Sequence, residues 1–148
     1  MNKGFYTNDP AQTIQPESAV IFSTTVIPDG SGRVGHLQET GTFTLQGGPR
    51  RNTCNCCGKN NCRQYPASFS ANIAIPEGGT VEAISVALAI DGGVVPASTM
   101  IVTPSAVNQY FNISVDMPVP VLCGCCQTFS VINTSSQAIL MQNASLQI

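Results

Sequence analysis

The sequence predicts an all-β fold, a sandwich or barrel built from short strands. Three observations carry this. Apolar and polar residues alternate with period two over several stretches, the spacing of half-buried strands rather than helices. Turn signals separate these stretches at regular intervals: "PDGSG", "QGGPR", "PEGGT", "DGG", "TPSA", "CGCC" and "NTSSQ". No stretch shows a convincing helical period. "TPSAVNQY" offers one short turn at most.

Taken in chain order, the first 16 residues are polar, contain two prolines and show no alternation. Residues 1–17 are therefore expected as an arm outside the sandwich, ordered by a partner, with 18–148 forming the domain. Strand candidates follow at Ala19–Ile27 and Thr42–Gln46. "YPASFSANIAI" puts Tyr65, Ala67, Phe69, Ala71, Ile73 and Ile75 on one face. "VEAISVALAI" does the same for Ile84, Val86, Leu88 and Ile90. Val94–Val102 is the next candidate. "QYFNISVDM" puts Phe111, Ile113, Val115 and Met117 opposite Asn112, Ser114 and Asp116. Thr128–Asn133 and Ala138–Ile148 complete the set. Eight short strands with regular turns suit a sandwich or barrel.

The chain length, 148 residues, suits one domain. Charged residues make up 9%, far below the typical quarter of a soluble domain. Such a surface depends on Ser, Thr, Asn and Gln, or is covered by partner subunits. No apolar run approaches the roughly 18 residues of a membrane span, so no membrane partner is expected. The start lacks the apolar middle of a secretory signal, which predicts synthesis in the cytoplasm. The chain reads as whole from Met1, with no Gly-X-Y repeat or heptads ahead of the sandwich.

Arg50, Arg51, Lys59 and Arg63 are four of six basic residues; the remainder carries two basic and eight acidic residues, a net of 2 − 8 = −6. This basic patch reads either as a solvated loop tip or as a docking patch for an acidic neighbour or an anionic surface polymer. Four charges without interleaved aromatics exclude a nucleic-acid footprint.

The succession "TGTFTL", "QYPASFSANIAI", "VALAIDGGVV" and "FNISVDMPVPVLCGCCQTFSVIN", closed by a final strand, resembles the jelly roll of the tumour necrosis factor superfamily and of complement and collagen-like globular heads, over Ser18–Ile148. More closely, residues 78–121, the cysteine-bearing turn and the ending "NTSSQAILMQNASLQI" resemble short virion surface proteins of phages and prophages of anaerobic gut bacteria. The resemblance implies a homotrimer of jelly-roll sandwiches around a three-fold axis. It also implies that the strand following "CNCCGKNNC" lies antiparallel beside the strand preceding "CGCC". Cys54, Cys56, Cys57 and Cys62 would then crown the same end as Cys123, Cys125 and Cys126.

Three readings of these seven cysteines stay open. Disulfides between the clusters would close a loop of about 60 residues and stabilise by several kcal/mol in the chain-entropy model; an odd count leaves one thiol per subunit over. Zinc could sit among thiolates from both clusters, although C-x-C-C-x4-C is not a well-known spacing. Free thiols without a role are the third reading, disfavoured because exposed thiol clusters oxidise or bind metal. No cofactor is required, and zinc alone is admitted.

No catalytic constellation emerges. His36 is the one histidine and reads as a surface or satisfied residue. The acids are scattered, "CCGKN" lacks the first glycine and the Ser/Thr of a phosphate loop, and the sequons at Asn112, Asn133 and Asn143 matter only in a eukaryotic secretory setting. The expected function is therefore structural: a trimeric capsid decoration or short head fibre on the virion surface, released by lysis. Its expected partners are itself, phage capsid proteins and host-surface or mucosal glycans. Phe5, Tyr6 and Ile14 of the arm are the candidate capsid anchor. The alternative is a trimeric receptor-binding or adhesin tip on a tail fibre, spore or bacterial surface.

Overall fold

The computed structural model describes residues 3–47, 61–122 and 126–148. Among these residues twelve strands follow one another: β1 (Phe5–Asn8), β2 (Gln12–Ile14), β3 (Thr24–Ile27), β4 (Val34–His36), β5 (Phe43–Gln46), β6 (Asn61–Ala74), β7 (Ile84–Ile90), β8 (Gly93–Val94), β9 (Met100–Val102), β10 (Phe111–Leu122), β11 (Cys126–Asn133) and β12 (Ile139–Gln147). They form two antiparallel sheets. One runs β10-β6-β12-β1-β3, with β2 also on β12; the other runs β4-β5-β11-β7-β8, with β9 also on β7. Among the described residues, helix is limited to a single 3₁₀ turn at Pro96–Ser98.

The inner faces of the two sheets enclose the core, and alternation decides which residues enter it. Tyr65, Ala67, Phe69, Ala71 and Ile73 of β6 are buried, as are Ile84, Val86 and Leu88 of β7. The expected β6–β10 pairing is present from Phe111↔Ile73 to Leu122↔Asn61. On β12 the alternation changes phase. Ile139 and Met141 point inward, then Ala144, Leu146 and Ile148. A bulge between Gln142 and Ser145 inserts one residue, and Asn143 adopts φ 55° there. An extra residue shifts every later side chain to the opposite face.

Four expectations need correction. Of the expected arm, residues 1–17, the described part from residue 3 does not lie outside the sandwich: β1 lies between β12 and β3, with Phe5 opposite Gln147, and β2 pairs with β12. Burial of Tyr6 and Ile14, each 3% exposed, drives this placement. Ala19–Ile27 is not one strand. Ala19 and Phe22 make isolated bridges that seat Val20 and Phe22 in the core, and regular pairing starts at β3. Val94–Val102 is broken because Pro96 has no N–H for a ladder; it opens the 3₁₀ turn, and the Ser98 hydroxyl accepts from Leu88 N at 2.9 Å instead. β4 was not anticipated.

Prolines inside strands fall where pairing permits them. β10 is an edge strand, which accommodates Pro118 and Pro120. Pro66 lies beyond the last β6–β12 pair, Ser68↔Gln147.

Candidate functional site

The end of the sandwich that carries the cysteine segments is framed by paired strand ends. Gln46, the last residue of β5, pairs with Cys126, the first of β11. Leu122, the last of β10, pairs with Asn61, the first of β6. Both cysteine-bearing segments therefore leave from, and return to, one end, as the expected topology requires. Cys126 is exposed there. Cys54, Cys56, Cys57, Cys123 and Cys125, the side chain of Cys62, and Arg50, Arg51 and Lys59 lie outside the described residues.

Arg63 is half-buried on β6 and lines a cavity of about 200 Å³ at this end, together with Lys3, Arg33, Asp29, Tyr65 and Pro66. Lys3 and Arg33 are site residues that linear reading missed. Positions 3, 33 and 63 share no motif and meet only because β1, β4 and β6 start at the same end.

The loop between β3 and β4 is shaped by Asp29. Its Oδ1 accepts from Ser31 N at 3.2 Å. Its Oδ2 accepts from the Ser31 hydroxyl at 2.6 Å, from Arg33 N at 2.8 Å and from Val34 N at 3.1 Å. Burial works to raise its pKa, but the hydrogen bonds from Ser31, Arg33 and Val34 outweigh burial and hold it below the usual carboxylate value. A depressed folded pKa contributes stability that is fully present above the unfolded pKa of about 3.9 and is lost as pH falls through the folded value. Asp29→Ala is therefore expected to lower the melting temperature by a few degrees at neutral pH, with the difference shrinking as pH falls from the unfolded value of about 3.9 through the depressed folded value. Melting curves across that range check this; a pH-independent difference would contradict it.

The proposed anchor residues belong to β1 and β2 of the sandwich. Tyr6 and Ile14 are core side chains and Phe5 is half-buried, so Tyr6 and Ile14 cannot dock on another protein without unfolding. Burial, and then the negative charge of Asp29, push the Tyr6 phenol above its ordinary pKa. The expectation of a satisfied His36 holds for one ring nitrogen only: Nδ1 is buried without a hydrogen-bond partner among the described residues. The ring stacks on Phe43 at 4.2 Å, and Nε2–H donates to Thr40 O at 3.0 Å.

The outer face of the β10-β6-β12-β1 sheet has a distinct chemistry. Aligned rows run Asn112–Asn72–Gln142, Ser114–Ser70–Ser145–Thr7 and Asp116–Ser68–Gln147–Phe5. The Ser70 and Ser145 hydroxyls are 2.9 Å apart. In these three rows Asp116 is the single charge.

No protein-family model matches the chain, and a search of curated protein sequences returns no match. Solved structures do match. The globular domain of zebrafish complement 1qA protein superposes with a TM-score of 0.59 at 11% identity, covering 99% of this chain and 94% of that one. Eiger TNF from S. frugiperda gives 0.59 at 10% identity, covering 99% and 89%. The fold is a C1q/TNF-like jelly roll. The vertex protein P5 of PRD1 aligns over 99% of this chain and 95% of its own at 11% identity, with a TM-score of 0.40 that carries no weight. Among the described residues, no helix of this jelly roll is long and apolar enough to cross a membrane.

Proposed function

We propose that this jelly roll is a non-enzymatic structural protein of a phage virion surface, a homotrimeric capsid decoration of the auxiliary head protein or short head fibre kind. The observation that carries the trimer is the almost uncharged outer face of the β10-β6-β12-β1 sheet. Charged residues are depleted at the centres of subunit interfaces, and these rows are mostly Ser, Asn, Gln and Thr, with Phe5 at the β1 end of one row and Asp116 as the single charge. The virion setting rests on the sequence resemblance of residues 78–121 and 133–148. Because β1 and β2 are part of the sandwich, attachment to the shell belongs to another surface. At the cysteine end, disulfides or zinc would clasp the two segments. Alkylation of the native protein followed by mass spectrometry, with zinc quantified in the same sample, separates these two from free thiols.

Ser70→Arg and Ser145→Arg would each bury an unpaired charge at the subunit interface. The expected result by sedimentation equilibrium is a trimer for the wild type and monomers of unchanged β-rich circular dichroism for the variants. A monomeric wild type, or trimers that tolerate both substitutions, would remove this face from the interface. Counting the protein against the major capsid protein in gradient-purified particles tests the virion role. A copy number comparable to the capsid protein supports decoration, a few copies point to a fibre tip, and absence removes the reading.

A further inference from the structure

We propose that the cavity between Lys3, Arg33 and Arg63 is a binding site for one acidic sugar residue, a carboxylated or sulfated pyranose of a glycan. This goes beyond the structural role and does not depend on it. Half of the six basic residues in the chain line this single cavity. They come from three separate segments, so local sequence bias does not explain the convergence. At the opposite end lie acids: Asp9 just after β1, Glu77 just after β6 and Glu82 just before β7.

The negative groups at the cavity are already engaged. Both carboxylate oxygens of Asp29 accept hydrogen bonds from its own loop. At Ile148, the last residue of the sequence, the main-chain oxygen accepts from Gly4 N at 2.8 Å. Even counting both as full charges, the lining carries 3 − 2 = +1, in a chain of net charge −2. An anion is the complement of that lining, and guanidinium forks from two directions suit the paired oxygens of a carboxylate or sulfate.

The walls favour a sugar over an acidic side chain. Tyr65, Pro66 and Val34 add apolar surface, of the kind that covers a pyranose face. The cavity, about 200 Å³, is smaller than the roughly 300–1,000 Å³ of drug-sized sites and suits a single ring. Gln64 is exposed at the rim and offers both a donor and an acceptor for ring hydroxyls.

The test uses the full chain and immobilised probes in matched pairs: sialyllactose against lactose, a galacturonate oligomer against its methyl ester, and a poly-glutamate peptide. The expected result is at least tenfold tighter binding to an acidic glycan than to its neutral partner, weakening as salt is raised. Arg33→Gln and Arg63→Gln should each weaken it several-fold, and the triple variant with Lys3→Gln should abolish it, with melting temperatures within a few degrees of wild type. Equal affinity for acidic and neutral glycans, retention by the folded triple variant, or binding to poly-glutamate alone would each overturn the assignment. Particle copy number is measured separately, so failure here leaves the structural role standing.

Discussion

Phe43→Ala is expected to destabilise the protein by about 3–5 kcal/mol, the range for removing a buried aromatic ring. Phe43 is fully buried on β5. Its ring stacks on His36 at 4.2 Å and meets Tyr6 edge-on at 4.8 Å, Phe22 at 5.4 Å and Phe129 at 6.4 Å. Those partners come from β4, β1, the segment before β3 and β11. One ring therefore ties an edge strand, a neighbouring strand and the facing sheet together. Alanine would lose the burial of the ring and leave a cavity that four strands would have to collapse together to fill. For a domain of this size, a loss of that order lowers the melting temperature by about 6–20 °C. Thermal melts at one fixed protein concentration measure it, since assembly also shifts the midpoint. Phe43→Leu should cost distinctly less. A loss below about 1 kcal/mol for the alanine variant would show that the aromatic cluster does not hold β4 and β1 in place.

Length of alternation explains what was legible in the sequence. β6 and β10 bury several residues of one parity, and β7 buries Ile84, Val86 and Leu88 together with the small Ala87 and Ala89 of its other face; these patterns are long enough to stand out, and the β6–β10 pairing follows from them. β1, β2 and β4 have four, three and three residues. A single Tyr6 or Ile14 in a polar stretch has the same local appearance whether it lies in an arm or in a core. Burial of these residues is decided by β12, more than a hundred residues away, which no local pattern encodes. Pro96 was a readable signal against a continuous strand and was outweighed by its apolar neighbours. The cysteine end was legible as a place, because paired strand ends fix it. The cavity there was not, because Lys3, Arg33 and Arg63 converge through tertiary structure alone.

Asn133→Ala is the second large effect, and its cause was invisible in sequence, where Asn133 reads as a turn residue. The side chain is fully buried. Nδ2–H donates to Ile14 O at 2.9 Å and to Gln137 O at 3.0 Å, and Oδ1 accepts from Ser135 N at 2.8 Å. Its main chain continues the junction, with Asn133 N donating to Ser18 O at 3.0 Å and Glu17 N donating to Asn133 O at 2.9 Å. One amide thus joins the end of β2, the segment after it and the turn from β11 to β12. Alanine would take this partner from two carbonyls and one N–H of the junction. Each buried orphan costs about 1–3 kcal/mol and the three are not additive, which sets the expected loss at about 2–4 kcal/mol. Asn133→Asp separates hydrogen bonding from shape. The carboxylate would turn an acceptor oxygen toward Ile14 O and Gln137 O, so its folded pKa would rise above the unfolded value of about 3.9. A raised folded pKa means that the folded state binds the proton more tightly, and stability then increases as pH falls. The aspartate variant is therefore expected to be less stable than the alanine variant at neutral pH and to recover toward it as pH falls through the raised folded pKa, the recovery being complete by the unfolded value of about 3.9, because the protonated carboxyl can again donate one hydrogen bond. If the two variants show the same pH profile, this junction is held by packing rather than by the amide's hydrogen bonds.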